Sequence, residues 1–182
     1  MTIDRSKPVM VTGATGYAAS WIVKRLLEEG LTVHAAVRAP SDTKKTAALS
    51  EVAAGLPGEL RFFKADLLSD GSYAEAMGGC GVVFHTASPF TMNVRDPQTE
   101  LVDPALLGTR NVLESVNRAK SVTRVVLTSS CAAINGDNAD LANVGGSLTE
   151  EGWNTSSSLE HNPYAYSKTV AEKEAWHVGL RV

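Results

Sequence analysis

The chain has 182 residues, of which 43% are hydrophobic and 20% are charged, and its formal net charge is −3. This composition is typical of a globular domain with a substantial core, and the lack of a basic patch argues against nucleic acid as a partner. No apolar run reaches the roughly 18 residues that a membrane-spanning helix needs, which argues against a membrane partner.

The N-terminal residues and the cysteines indicate the cellular compartment. Residues 1–7 are polar and lack the apolar stretch of a secretory signal peptide. Cys80 and Cys131 do not have the spacing of a metal site, and we expect both to be buried free thiols in a reducing compartment. We therefore expect a cytoplasmic protein. The four histidines also lack metal-ligand spacing, so we expect no metal site.

The predicted elements alternate between strand and helix along the chain. Strands are predicted at residues 9–11, 31–37, 60–65, 81–86 and 122–128, and helices at residues 17–29, 43–54, 72–77, 99–119 and 164–178. This alternation predicts an α/β fold, an open doubly wound parallel sheet with helices on both faces. The last strand is nearly continuous in valine and leucine, which is typical of a parallel strand covered on both faces. Pro104 predicts a kink or a new helix start.

Residues 131–162 form a long connection that is rich in glycine, asparagine, serine and aspartate. A connection of this length in a compact domain is usually functional or mobile. It ends at Asn162 and Pro163, which suit the N-cap and the first position of the last predicted helix.

The turn after the first strand carries Gly13 and Gly16, and a helix pattern follows at once. Glycine allows a ligand to approach the backbone closely, and the first turn of a helix offers unpaired N–H groups at a positive dipole end. The turn therefore predicts a phosphate site, at the carboxyl edge where doubly wound sheets bind dinucleotides.

Charged residues follow the second and third strands. Arg38 lies where an acidic side chain would bind a ribose, and an arginine there would meet a 2′-phosphate instead. Lys44 or Lys45 can add a second positive charge, although single surface cations are common in any protein. Asp66 fits two roles about equally well, as an acceptor for the adenine amino group or as a turn residue.

Tyr164 and Lys168 are four residues apart on the last predicted helix, so they share one face. A free phenol has a pKa of about 10, and a nearby ammonium group favours the phenolate. Such a pair can protonate a carbonyl oxygen, or accept the proton in the reverse direction. Tyr166 has no such partner, because its neighbour four residues on is Val170. The spacing alone fits a half-buried aromatic residue beside a surface lysine equally well.

Thr128, Ser129 and Ser130 follow the fifth predicted strand, at the same edge of the sheet. A hydroxyl there can bind the substrate oxygen near Tyr164, or it can satisfy backbone groups at the strand end. The chain has no Gly-x-Ser-x-Gly elbow and no P-loop motif, which argues against an esterase and a P-loop NTPase.

Taken together, these segments resemble the extended short-chain dehydrogenase/reductase superfamily. Within it, they resemble the group of dihydroflavonol reductases, cinnamoyl-CoA reductases and aldehyde reductases. The matching segments are residues 11–21, 36–38, 64–67, 83–89, 126–130, 151–153 and 164–172. The third glycine of the family's glycine motif is Ala19 in this chain, and one added methyl group should be tolerable there.

The resemblance implies an NADP(H)-dependent oxidoreductase that reduces a small aldehyde or ketone to an alcohol. It implies that Ser130, Tyr164 and Lys168 are catalytic. The residues that it implies for binding the cofactor are Gly13, Thr15, Gly16, Tyr17, Arg38, Lys45 (or Lys44), Asp66, Leu67, Ala87, Ser88, Thr128, Tyr164 and Lys168.

The resemblance also bears on domains and assembly. The resemblance implies an α/β fold of the Rossmann type, a doubly wound parallel sheet with strand order 3-2-1-4-5. Family members continue past the equivalent of Val182 into more strands and a C-terminal substrate lobe. We therefore expect residues 1–182 to be the NADP-binding domain, with a sheet that is incomplete at its C-terminus and without that lobe. Family members often pair through two long helices, here residues 99–119 and 164–178, which leaves a homodimer open. Two alternatives are a truncated or non-catalytic NADP-binding module and a nucleotide-sugar epimerase or dehydratase. The latter usually binds NAD and has an acidic residue in place of Arg38.

Overall fold

The computed structural model of this protein describes residues 3–89, 93–143 and 146–179. The strands are β1 (Val9–Thr12), β2 (Thr32–Val37), β3 (Glu59–Lys64), β4 (Val82–His85) and β5 (Arg124–Leu127). The helices are α1 (Tyr17–Glu28), α2 (Thr43–Ala53), α3 (Asp103–Arg118), α4 (Asp140–Asn143) and α5 (Pro163–Val178). Within these described ranges, no helix is long and apolar enough to cross a membrane.

The five strands are parallel and lie in the order β3-β2-β1-β4-β5, which confirms the predicted topology. Successive residues of a strand point to opposite faces of a sheet. Val9 and Val11 of β1 pack in a core cluster with Leu27 of α1, whereas Met10 packs in a second cluster with Val112 of α3. The central strand is therefore buried on both faces, as a continuous apolar run requires.

The chain divides into two compact units. Among the described residues, the first unit comprises 3–87 and 111–128, and it contains the whole sheet. The second unit comprises 88–89, 93–110, 129–143 and 146–179, and it contains α4 and α5. The assignment of residues 1–182 to one NADP-binding domain stays a prediction.

The predicted helix at residues 72–77 is wrong. The segment forms successive turns, with backbone bonds from Ala74 N to Gly71 O at 3.0 Å and from Met77 N to Tyr73 O at 3.0 Å. Six residues between glycines give too few hydrogen bonds to offset the cost of nucleating a helix. Tyr73 and Met77 are nevertheless buried in the second core cluster, so the apolar pattern correctly indicated burial.

The last strand differs from its prediction in both length and burial. β5 has four residues, and Val126 within it is 39% exposed. The expectation of a strand covered on both faces is therefore wrong. β5 pairs with β4 on one side only and forms the edge of the described sheet, so its side chains have fewer neighbours than those of β1.

Both proline predictions concern helix starts. A π-helical segment, Gln98–Val102, leads directly into α3, and Pro104 is the second residue of α3. Pro104 therefore lies where the π-helical turns change to α3, and its missing N–H group removes one hydrogen bond at this change of helix type. Pro163 begins α5, and the Asn162 side chain accepts a hydrogen bond from Ala165 N at 3.3 Å, which confirms the predicted cap.

The two cysteines differ in environment. Cys80 is buried, and burial raises the pKa of its thiol to about 12. Cys131 is exposed and begins a short 3₁₀ helix, Cys131–Ala133, in the connection before α4. The prediction of a buried thiol is therefore correct for Cys80 and wrong for Cys131.

Candidate active site

Most predicted site residues of the first unit lie just beyond the carboxyl ends of the strands. Each strand of the sheet is followed within two residues by at least one of them. These residues are Gly13, Thr15, Gly16 and Tyr17 after β1, Arg38 after β2, Asp66 and Leu67 after β3, Ala87 after β4, and Thr128 after β5. Because all the strands are parallel, these residues share one edge of the sheet, which is where such folds bind ligands.

The turn between β1 and α1 carries two glycines with different roles. Gly13 has a φ angle of +61°, and a Cβ atom there would lie 3.1 Å from the Cα and Cβ atoms of Ala87. Gly16 precedes α1 and has no side chain to cap it, so the first N–H groups of α1 have no side-chain partner. Tyr17 begins α1 and is 85% exposed. The turn thus presents free donors at a positive helix end.

A buried hydroxyl joins β1 to β4 beside this turn. Thr12 Oγ1 accepts hydrogen bonds from Thr86 N at 3.1 Å and from Ala87 N at 3.0 Å, and it lies 2.9 Å from His85 Nδ1. A hydroxyl has two acceptor positions and one proton. Since both acceptor positions are used, the Thr12 hydroxyl acts as the donor in its hydrogen bond with His85 Nδ1. This network fixes the strand ends at the switch point of the sheet.

The predicted phosphate-binding cations are exposed. Among the described residues, Arg38 has no ion pair or hydrogen-bond acceptor. Lys45 lies on α2 with its Nζ atom 3.5 Å from Asp42 Oδ2, whereas the neighbouring Lys44 has no ion pair within the described chain. The structure therefore leaves the choice between the two lysines open.

Asp66 forms a turn and still has a spare oxygen. Its Oδ1 atom accepts a hydrogen bond from Leu68 N at 2.9 Å, which is the turn role considered for this residue. Its Oδ2 atom has no donor among the residues that the structure describes. The geometry of Asp66 is therefore compatible with both predicted roles, that of a turn residue and that of an acceptor for the adenine amino group.

The second unit brings Tyr164 and Lys168 together with Ser88. Lys168 Nζ lies 5.3 Å from the centroid of the Tyr164 ring and donates a hydrogen bond to Ser88 Oγ at 2.5 Å. Burial lowers the pKa of Lys168. The spacing of four residues on α5 therefore produces a real pair, rather than an aromatic residue beside a solvated lysine. Tyr166 begins no such pair, as its spacing predicted.

Ser130 lies at the start of the 3₁₀ helix. Its Oγ atom accepts a hydrogen bond from Ala132 N at 3.2 Å, which is the backbone role considered for a strand-end serine. Its hydroxyl proton has no acceptor among the described residues and is available for a substrate oxygen. The preceding residue, Ser129, donates to the Glu172 carboxylate on α5.

The connection at residues 131–162 is held by a buried amide, although residues 144–145 lie outside the described residues. Asn154 is 4% exposed, and its Nδ2 group donates to Ala132 O at 2.8 Å and to Ser157 Oγ at 2.9 Å. Its backbone N–H donates to Ala133 O at 2.8 Å. These bonds fix the short helix that follows Ser130, so much of this connection is ordered around the predicted catalytic serine.

The sequence matches the family model described as "NAD dependent epimerase/dehydratase family" over residues 9–180. The chain belongs to this family. It is 47% identical to cinnamoyl-CoA reductase CAD2 of Medicago truncatula over 175 residues, which are 92% of this chain and 52% of that protein. It is 39% identical to dihydroflavonol 4-reductase of Gerbera hybrida over 181 residues, which are 97% of this chain and 48% of that protein.

Solved structures agree with these relatives. Gre2 from Candida albicans, in a complex with NADPH, superposes with a TM-score of 0.80 at 34% identity, covering 94% of this chain and 52% of that one. The predicted resemblance to this group of reductases is therefore confirmed. This member of the epimerase/dehydratase family spans about half the length of the curated relatives that it matches.

Thr12 and Glu172 of this family member shape the site, although neither could be assigned to it from the sequence. Thr12 is the last residue of a strand, and nothing in its sequence context indicates bonds to His85, Thr86 and Ala87. Glu172 lies four residues after Lys168, a spacing that could have marked it as part of the same helix face. Its partner Ser129 could not be predicted, since the two residues are far apart in sequence.

The histidines of this family member have structural or surface positions. His34 and His85 are buried, and His34 Nδ1 lies 2.7 Å from Ala76 O. The exposed His161 Nε2 atom lies within hydrogen-bond distance of Asp137 Oδ2, at 2.8 Å. Within the described ranges, no group of three or more potential metal ligands occurs.

Proposed function

We propose that this chain carries the NADPH-binding and catalytic residues of a reductase that converts an aldehyde or ketone to an alcohol. The observation that carries the proposal is the cluster of Tyr164, Lys168 and Ser88, in which a half-buried ammonium group lies against a phenol. The relatives support it, since cinnamoyl-CoA reductase and dihydroflavonol 4-reductase are both reductases by name. Assembly as a homodimer and a cytoplasmic location stay predictions.

The residues at the carboxyl edge fit a phosphorylated dinucleotide. The Gly13 backbone leaves no room for a side chain against Ala87, and the uncapped start of α1 offers donors for a pyrophosphate. Arg38, exposed and without an ion pair among the described residues, is suited to the 2′-phosphate of NADPH. The bound cofactor would supply the hydride that reduces the carbonyl carbon.

The second unit would supply the proton. Tyr164 donates its phenolic proton to the carbonyl oxygen as that oxygen gains negative charge. The Lys168 ammonium group favours the phenolate that remains, because opposite charges attract. Ser88 keeps the ammonium group in place through its hydrogen bond. Ser130 donates its free hydroxyl proton to the same carbonyl oxygen and so orients the substrate. In alcohol oxidation, Tyr164 accepts the proton instead.

Titration of the 182-residue chain with NADPH and NADH tests the cofactor assignment. NADPH should bind more tightly, and Arg38→Gln should weaken NADPH binding by about 10- to 100-fold, the effect of losing one charge-assisted hydrogen bond, while NADH binding stays unchanged. Lys44→Gln and Lys45→Gln, compared side by side, identify which lysine assists. A preference for NADH in the unmodified chain would contradict the role of Arg38 and favour an epimerase or dehydratase.

Turnover of NADPH with small aldehydes tests the catalytic assignment. Tyr164→Phe should lower turnover by roughly 10²- to 10⁴-fold, the usual contribution of a general acid, while NADPH still binds. Tyr166→Phe is the matched control, since it removes a hydroxyl from the same helix without touching the pair, and it should retain activity. Equal turnover in Tyr164→Phe and the unmodified chain would refute the assigned role. NADPH binding without any turnover would favour a non-catalytic module.

A further inference from the structure

A buried asparagine on α3 binds the turn that follows β3. Asn111 is 8% exposed, although it lies beside Val112 and Leu113 on the helix. Its Nδ2 group donates to Leu67 O at 3.1 Å and to Ser69 O at 2.7 Å. Its Oδ1 atom accepts a hydrogen bond from Gly71 N at 3.2 Å. The orientation of the amide is fixed, because two partners can only accept and the third can only donate.

The other polar bonds of this turn are mostly internal. Leu68 N donates to Asp66 Oδ1 at 2.9 Å, Ser69 N donates to Asp66 O at 3.2 Å, and Ser72 Oγ donates to Asp66 O at 2.9 Å. Such bonds shape the turn without attaching it to another element. The pair between Asp70 and Arg118 is exposed on both sides, and exposed pairs contribute little. Asn111 therefore supplies the buried polar link between the turn and α3.

We infer that Asn111 is a positioning residue for the adenine end of the cofactor. The inference rests on the proposed function, in which Asp66 and Leu67 flank the adenine. Asn111 does not touch the adenine in this assignment. It holds the backbone on the C-terminal side of Asp66, so that Oδ2 of Asp66 stays available to accept a hydrogen bond from the adenine amino group.

The variant Asn111→Asp tests this inference with little change in shape. It replaces the two N–H donors with a carboxylate oxygen facing two carbonyl oxygens, so the turn should move away from α3. Val116→Ala is the control, because Val116 is buried on the same helix in the core cluster and forms no hydrogen bond with the turn. Asn111→Ala serves if the aspartate variant fails to fold.

The measurement compares the dissociation constants of NADPH and deamino-NADPH, in which hypoxanthine replaces adenine. Hypoxanthine presents a carbonyl oxygen where adenine presents its amino group, so the unmodified chain should bind NADPH about tenfold more tightly, the effect of one hydrogen bond to a charged group. Asn111→Asp should bring the ratio close to one. Val116→Ala should retain the ratio even though it unfolds at a lower temperature.

A second measurement needs no cofactor. Amide hydrogen exchange at Gly71 should be at least about tenfold faster in Asn111→Ala than in the unmodified chain, because Gly71 N then loses its acceptor. A helix position with a purely structural role would change the unfolding temperature without changing the cofactor ratio.

The outcomes separate the inference from the proposed function. If Asn111→Asp folds and still shows the same ratio of dissociation constants for deamino-NADPH and NADPH as the unmodified chain, the positioning role is overturned. NADPH binding without any preference over deamino-NADPH in the unmodified chain also overturns it, by removing the Asp66 contact, but leaves the reductase proposal in place. No binding of NADPH by the unmodified chain overturns the proposed function itself.

Discussion

Replacing Thr12 with valine should strongly destabilise the first unit. Valine is β-branched like threonine and has nearly the same shape, so the main change is the loss of the hydroxyl and of its hydrogen bonds. Thr12 Oγ1 accepts from Thr86 N and Ala87 N and donates to His85 Nδ1. At about 1 kcal/mol for each hydrogen bond, and somewhat more where a buried group stays unpaired, the loss is roughly 2–4 kcal/mol. This corresponds to a fall in Tm of about 5–15 °C for a chain of this size.

Two matched variants isolate the effect of the Thr12 hydroxyl. Thr12→Ser keeps the hydroxyl and loses one buried methyl group, at a cost of about 1 kcal/mol. Thr46→Val removes a buried hydroxyl that donates to a single carbonyl, Asp42 O, within its own helical turn, so it should cost less than about 1 kcal/mol. Urea unfolding of the four proteins gives the comparison. If Thr12→Val proves as stable as Thr12→Ser, the three-bond network does not contribute as argued.

Two further predictions concern titratable groups. In the native protein, the exposed Cys131 thiol should react rapidly with a disulfide reagent at neutral pH. The buried Cys80 thiol, with a pKa of about 12, should react only after unfolding. Rapid reaction of both thiols in the native protein would contradict the burial of Cys80. Burial lowers the pKa of Lys168 in the folded chain below its value of about 10.4 in the unfolded chain, so the unfolded chain binds more protons between these two pKa values. The contribution of Lys168 to the free energy of unfolding should therefore rise with pH across that range. The unfolding free energy of the unmodified chain minus that of Lys168→Met should therefore increase across that range, and a decrease would refute the sign.

The sheet could be predicted because its information is local. Continuous apolar runs such as residues 9–11, most of them followed by a helix pattern, indicate buried parallel strands, whereas the strand order is what the family resemblance implied. Asn162 and Pro163 likewise determine a helix start through neighbours a few residues away. The same local pattern misled at residues 72–77, where flanking glycines favour turns, and at Val126, whose exposure depends on the position of β5 at the sheet edge.

The site could be predicted only in part, because its supports are distant in sequence. The spacing of Tyr164 and Lys168 indicated a pair, but the serine that binds Lys168 lies on a separate segment of the chain. Asn111 reads as a polar interruption in an apolar helix face, and only the folded chain brings it to residues 67–71. Long-range hydrogen bonds of this kind leave no periodicity in the sequence.

The central position of β1 has a consequence for synthesis on the ribosome. One edge of β1 pairs with β2, Val9 opposite Val33, once α1 and β2 have been made. Its other edge pairs with β4, Val9 opposite Val82, so it stays open while the intervening residues are made. During that interval a buried apolar strand has unpaired backbone groups, which other chains can join. The nascent chain is therefore most prone to aggregation after β3 has emerged and before β4 has followed.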